Sequence, residues 1–232
     1  MPSSNSMSQA VISMGKRLGH AATHVIYSNL LQHRSFTFDG LQYRYFYHRY
    51  NSTCETERCI EIPIALNFLH RQPVGATLEI GNVLNHYTPF QHTVVDKYET
   101  GNGVINVDVC DFEPASKYAV IISISTLEHV GWDEESFDPG KALYAIVRLR
   151  HMLNDHGRML VSFPLGHHAG LDRAICNGDL GCYELRGMKR FGNIWTEVSV
   201  QELLACKLEP PYRRGNGAYR RVRGVAFASF RS

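Results

Sequence analysis

The sequence has no apolar run approaching the ~20 residues needed to cross a bilayer. Met1 to His20 is Ser-rich and polar at its start, with no continuous apolar stretch of signal-peptide length. Neither a membrane span nor a secretory leader is therefore expected, and Asn51-Ser52-Thr53 is then an accidental glycosylation sequon. Net charge is also nearly absent. The 24 Lys+Arg against 22 Asp+Glu leave +2 over 232 residues, so no global field draws the chain onto nucleic acid or a membrane surface. Charged residues make up only 20% and hydrophobic ones 44%, which excludes disorder and coiled coil. The cysteines at 54, 59, 110, 176, 182 and 206 contain no C-x-x-C pair. Spacings of C-x4-C and C-x5-C do not read as a zinc site. A chain of this length can bury a full core without disulfide staples, so reduced thiols and a cytoplasmic location are expected.

What is present is an alternation of strands and helices. Residues 36–50 are rich in aromatics and read as a strand or an extended lid. Residues 55–70 read as a helix, with Ile60, Ile64, Leu66 and Phe68 on its buried face and Pro63 in its first turns or kinking it. Short apolar strands follow at 76–80, 92–96 and 103–107, and a near-continuous one at 118–124 fits a strand buried on both faces of a parallel sheet. Asp138-Pro139 reads as a helix start, with Leu143, Ile146, Val147, Leu149 and Leu153 as its buried stripe and Gly157 as its stop. Strands at 158–163 and 221–230 bracket a short helix at 199–207, with Ser199 as cap and Glu202 at its third position. This order implies a doubly wound α/β sheet, whose ligands bind outside the carboxyl ends of the strands.

Those ends carry, in order, Glu79-Ile80-Gly81-Asn82-Val83-Leu84-Asn85, then Asp96-Lys97, then Asp108-Val109-Cys110-Asp111, then Ser125-Thr126-Leu127-Glu128-His129, and last Pro164-Leu165-Gly166-His167-His168. From about Pro73 to Leu165 this set resembles the class I (seven-β-strand) S-adenosylmethionine-dependent methyltransferases. In that family the first strand ends as E-x-G-x-G-x-G, a carboxylate after the second holds the ribose, an acidic turn after the third holds the adenine, and the fourth runs into a segment like Leu127-Glu128-His129. The resemblance implies a mostly parallel seven-stranded sheet flanked by helices, with an antiparallel C-terminal strand. It also implies a cofactor-binding domain over 73–232, preceded by lid and substrate-side elements over 1–72, the whole forming one compact domain.

On this resemblance Glu79, Gly81, Asn82, Asn85, Asp96, Lys97, Asp108, Val109, Asp111 and Ser125 are cofactor candidates. A carboxylate at Asp96 suits a vicinal diol, and Gly81 lets the backbone approach closely. Val83 and Asn85 depart from the second and third glycines of the family loop. Asn tolerates left-handed backbone and Val does not, so a different loop path or weaker binding is expected.

Methyl transfer from a sulfonium requires in-line placement of the acceptor and, for a hydroxyl, removal of a proton. His129 is the candidate general base, with Glu128 beside it. His167, Asp172, Arg190 and Trp195 are substrate candidates. Glu128 and Asp172, with a nearby histidine, are weak candidates for holding Mg2+, which some sugar and catechol methyltransferases use to acidify a hydroxyl. Aromatic and paired polar residues on the flanks point to a sugar or saccharide as acceptor. Arg213, Arg214, Arg220, Arg221 and Arg223, accompanied only by Tyr212 and Tyr219, read as a solvated face rather than a nucleic-acid site. If the 36–50 segment is exposed, it points to a homodimer. Two rival readings stand beside this one. A scaffold that has lost activity would explain Val83. A nicotinamide-dependent oxidoreductase would need G-x-G-x-x-G and an acid about 20 residues on, whereas only Gly81 is present.

Overall fold

A computed structural model describes residues 25, 33–50, 53, 56–73, 75–89, 91–101, 103–205 and 222–232. Cys54, Cys206 and the basic residues Arg213, Arg214, Arg220 and Arg221 lie outside the described residues. Among those described, no helix is long and apolar enough to cross a membrane, and Cys59, Cys110, Cys176 and Cys182 are free thiols.

An antiparallel hairpin, β1 (Ser35–Phe38) and β2 (Leu41–Arg44), leads into helix α1 (Arg58–His70). The sheet then begins with β3 (Thr77–Ile80), β4 (Thr93–Val95), β5 (Val104–Ile105) and β6 (Tyr118–Ile124). Helix α2 (Lys141–His151), β7 (Leu153–Pro164) and helix α3 (Ala169–Asn177) follow. The chain closes with β8 (Glu184–Phe191), β9 (Ile194–Val198), helix α4 (Val200–Ala205) and β10 (Gly224–Arg231). The eight-stranded sheet has the order β5-β4-β3-β6-β7-β10-β8-β9. It is parallel from β5 to β7, and β10, β8 and β9 add antiparallel.

This is the doubly wound, mostly parallel sheet with an antiparallel C-terminal strand that the sequence calls for. It has eight strands rather than seven. The β8–β9 hairpin was not anticipated because its faces carry Arg186, Lys189 and Arg190 in place of an apolar alternation. Its turn is made possible by Gly192 at φ 60°.

Successive strand residues point to opposite faces, and the two cores follow from that. Val120, Ile122 and Ile124 of β6, Leu160 of β7 and Val225 and Phe227 of β10 pack with α1 and with Phe36 and Phe38 of the hairpin. Ile121, Met159, Val161, Phe163, Ala226, Ala228 and Phe230 pack on the other face with α2 and α3. The aromatic segment 36–50 is partly spent on this core: Phe36, Phe38 and Tyr45 are buried, Tyr43, Phe46 and Tyr47 are half-buried, and Tyr50 is exposed.

Pro63 lies inside α1 and has no N–H to give to the carbonyl of Cys59. The Phe46 N–H takes that carbonyl instead, at 2.9 Å, so the helix's missing bond ties down the chain leaving the hairpin. The helix expected from Asp138 onward is shorter than its sequence pattern suggests. Asp138 Oδ1 accepts the Gly140 N–H in a tight turn before Lys141. At the other end Leu153 has already joined β7 opposite Tyr118. Val147 is 49% exposed instead of buried, and Gly157 lies within β7 and stops no helix. The Ser199 cap holds: Ser199 Oγ accepts from the Glu202 N–H, and Glu202 Oε2 accepts from the Ser199 N–H.

Candidate functional site

Strands β4 and β5 add on one side of β3 and β6 on the other, so the winding reverses between β3 and β6. The crevice outside their carboxyl ends is the place where such sheets bind ligands. A cavity of 320 Å3 opens there, lined by residues that follow four strands: Gly81, Asp96 to Glu99, Val107 to Val109, and Ser125, Thr126, His129, Val130 and Glu134. That volume falls at the lower end of the about 300–1,000 Å3 of small-molecule sites. A second cavity of 160 Å3 shares Gly81, Asp96, Glu99 and Thr126 with it, and adds Tyr50, Arg58, Asn82, Val83, His86 and Tyr87.

Gly81 has φ 85°, and a Cβ there would stand 2.2 Å from Thr126 Oγ1. Only glycine fits both requirements. Val83 takes φ −100° and ψ −53° as the chain enters a short 3-10 turn at Leu84–His86. A β-branched residue adopts those angles without strain, so the loop follows the different path anticipated for it. Asn85 does not take up left-handed backbone. It is exposed, and its amide donates to Asn82 Oδ1 at 2.7 Å. Glu79 is fully buried beneath this loop. Its Oε1 accepts the N–H groups of Val83 and Leu84, and its Oε2 pairs with the His92 ring. The Glu79 carboxylate therefore shapes the loop from below and does not line either cavity.

Asp96 does line both. Its Oδ1 accepts from the Tyr98 and Glu99 N–H groups and its Oδ2 from the Asn82 N–H at 3.0 Å. Of the roughly four acceptor positions of a carboxylate, one remains for a ligand hydroxyl. Val107 and Val109 at the third strand end and Val130 after the fourth make apolar walls suited to a flat base. Asp108 is held in a square of charges: Lys97 and Lys141 each bridge Asp108 Oδ2 and Glu134 Oε2 at 2.6–2.9 Å. Burial pushes the Asp108 pKa up, but Lys141, the Cys110 N–H and Lys97 overcome it and bring the pKa down to about 2. Asp111 is exposed and outside the cavity lining.

Ser125 sits at φ 38° with its hydroxyl donated to Glu61 Oε1 at 2.6 Å, where Ser162 also donates. Glu61 Oε2 pairs with Arg58 at 2.9 Å, and Arg58 reaches the carbonyls of Ile124 and Ser125. This network clamps α1 to the carboxyl ends of β6 and β7. It escaped the sequence reading because its hydrogen bonds span up to 101 residues. Glu128 is 1% exposed, and its Oε2 has no hydrogen-bond partner among the described residues. Burial, aided by Glu61 and opposed by Arg58, lifts its pKa well above the carboxylate range.

His129 is half exposed at the rim of the larger cavity. Its Nδ1 stands 2.5 Å from Asp133 Oδ2, which His167 Nε2 approaches at 2.9 Å. Partial burial lowers the His129 pKa against the pull of Asp133. Next to it, His168 caps α3 by accepting the N–H groups of Gly170 and Leu171 on Nδ1.

The remaining candidates disperse. Asp172 is buried and accepts the Gly166 N–H. Trp195 is 2% exposed in the core, with the Arg190 guanidinium over its ring at 5.6 Å, and neither lines these two cavities. They sit on the antiparallel edge, away from the switch point. The two residues weighed for magnesium are both placed in the interior: Glu128 is sealed from solvent, and Asp172 accepts the Gly166 N–H. Tyr50, His86 and Tyr87 were missed, although the density of aromatics before α1 signalled one of them.

No family model matches the sequence, and no curated protein matches it. In structure the chain is similar to the N-methyltransferase NodS from Bradyrhizobium japonicum in complex with S-adenosyl-L-homocysteine, at 15% identity and a TM-score of 0.48, over 75% of this chain and 86% of that one. It is also similar to a TehB-like SAM-dependent methyltransferase from Corynebacterium glutamicum, at 14% identity and a TM-score of 0.41, over 72% of this chain and 86% of that one. A third is the magnesium protoporphyrin IX methyltransferase from Synechocystis with bound SAM, at 14% identity and a TM-score of 0.36, over 58% of this chain and 72% of that one.

Proposed function

We propose that the protein is an S-adenosylmethionine-dependent methyltransferase acting on a hydroxyl of a small molecule, with a saccharide as the favoured acceptor. The observation that carries this reading is the pair of neighbouring cavities at the switch point, which share Gly81, Asp96, Glu99 and Thr126, one ligand-sized and one smaller and aromatic-walled. In-line transfer needs such a pair, because donor and acceptor must approach the moving carbon from opposite sides. The cofactor, when bound, supplies a methyl already activated by positive sulfur. Asp96 accepts a ribose hydroxyl, Val107, Val109 and Val130 flank the base, and Gly81 admits the backbone close to the ligand.

In the smaller cavity Tyr50 stacks on His86 at 4.1 Å and meets Tyr87 edge to face at 5.7 Å. Such walls suit the C–H faces of a sugar, while Asn82, Arg58 and Glu99 offer partners for its hydroxyls. Tyr87 Oη is buried without a partner among the described residues. Burial pushes its pKa up to about 12, so it stays protonated and able to donate. In metal-free protein His129, with Asp133 against its Nδ1, takes the proton of an acceptor hydroxyl that extends from the smaller cavity into the larger one, whose rim His129 lines.

The test is calorimetric titration with S-adenosylhomocysteine, using NAD as control. Micromolar binding of the first and none of the second is expected, with Asp96→Ala at least tenfold weaker. Absence of S-adenosylhomocysteine binding overturns the reading. In a screen of saccharides against simple alcohols, His129→Ala should lose about 10²–10⁴ in kcat and keep its cofactor affinity. Full turnover by that variant removes His129 as base.

A further inference from the structure

The end of the site that handles the proton holds more than a base requires. His129, Asp133 and His167 each offer one ligand atom, and these atoms lie within 4.8 Å of one another. They come from two strand ends, His129 and Asp133 after β6 and His167 after β7. The two imidazoles meet edge to face with centroids 4.5 Å apart. Two imidazole nitrogens and one carboxylate oxygen form a donor set for zinc, cobalt, iron or manganese. Magnesium and calcium prefer oxygen alone. Neighbouring ligand atoms around a tetrahedral zinc stand about 3.3 Å apart, within the spread of spacings present here. Three protein ligands leave a position open, which is the pattern of catalytic rather than structural sites.

A second observation comes from behind the cluster. His129 Nε2 faces Glu128 Oε1 at 3.7 Å. Glu128 is sealed from solvent, and its other oxygen has no partner among the described residues. Metal-bound histidines commonly direct their second ring nitrogen at a carboxylate, which fixes the ring and its tautomer. Here Nδ1 lies on the Asp133 side and Nε2 on the Glu128 side. Trp132, between Glu128 and Asp133 in the chain, packs on the His168 ring with centroids 4.6 Å apart, which steadies the loop.

We propose that His129, Asp133 and His167 form a binding site for a divalent transition metal of the zinc and cobalt type, with the buried acid Glu128, whose Oε1 faces His129 Nε2, orienting that ring. The site borders the larger cavity through His129. The proposal rests on the methyl-transfer reading for its use and changes one part of it. With the ion bound, an acceptor hydroxyl at the open position has its pKa lowered and releases its proton to solvent, and His129 serves as ligand instead of base.

The test uses the full chain, stripped with chelator and titrated with Co2+ and Zn2+. One equivalent of Zn2+ retained after dialysis is expected, together with a visible Co2+ spectrum that Zn2+ displaces. Asp133→Asn and His167→Gln should each weaken binding by more than tenfold, and Glu128→Gln by about tenfold, with circular dichroism unchanged. Asp133 is half exposed, so its variant should fold. No retained metal, or wild-type affinity in both ligand variants, overturns the site. S-adenosylhomocysteine titration of stripped protein separates the two readings: cofactor binding without metal binding sinks only this site, and metal binding without cofactor binding sinks only the methyl-transfer reading.

Discussion

Gly81 combines two constraints that act through different physics. Its φ of 85° costs an L-residue about 1–2 kcal/mol, and a Cβ would meet the Thr126 side chain at 2.2 Å. Gly81→Ala should lower stability by about 2–4 kcal/mol and weaken S-adenosylhomocysteine binding at least tenfold. Thr126→Gly in the same chain removes the clash but leaves the backbone strain. The double variant should therefore recover part of the stability in a denaturant titration, and no recovery would place the whole cost in the backbone. Gly81 and Asp96 were legible in the sequence because each follows a strand and because the chemistry asks for a glycine and an acid there. The role of Glu79 was not: whether a carboxylate faces the ligand or the underside of its own loop depends on which N–H groups the loop turns inward.

Elements are joined by single groups as much as by broad faces. The hairpin and the β8–β9 edge meet where the buried backbone N–H of Trp195 donates to Tyr45 Oη at 2.8 Å. Tyr45→Phe leaves that N–H without a partner and should cost about 1–3 kcal/mol. A chemical-denaturation midpoint lowered accordingly supports the bond, and an unchanged one removes it from the account. The strands β3, β6, β7 and β10 could be read from apolar runs because they are largely buried, whereas the short edge strand β5 was legible from its apolar residues alone. The strands β8 and β9 could not, since their charged residues pair within the hairpin and with the β1–β2 turn: Arg186 meets Glu184, Glu197 and Asp39. The end of α2 was misjudged for a similar reason. Leu153 fits a helical period equally well, and only its pairing with Tyr118 draws it into β7.

At the scale of the whole molecule, a buried acid and a half-buried one set opposite pH slopes. Burial raises the Asp172 pKa from 3.8 to about 6 against the Gly166 N–H. The native state therefore holds more protons than the unfolded chain between about pH 4 and 6, and stability falls as pH rises through that window. Asp108 is displaced the other way, to about 2. Its contribution is full above pH 3.8 and is lost as pH falls toward 2. From these two groups, stability should peak near pH 4, a tenfold change in proton affinity being worth about 1.4 kcal/mol. Asp172→Asn should raise stability at pH 7 by about 1–3 kcal/mol and leave pH 4 unchanged, as read from thermal melts across pH. An equal gain at both pH values would assign the effect to packing.

By itself the sequence determined the alternation of strands and helices, the doubly wound class, the strand ends as the place for a ligand, and the residue types that stand there. Those follow from local periodicity and from the chemistry of short segments. Only the tertiary structure decided which of those residues face one another. It turned Glu79 under its loop, drew Lys97 and Lys141 onto Asp108 and Glu134, and brought His167 to His129 and Asp133. It also buried Trp195 and Arg58 in places that no spacing foretold. The reason is that burial and charge pairing depend on contacts across dozens of residues, and a one-dimensional pattern records only which side of its own strand or helix a residue lies on.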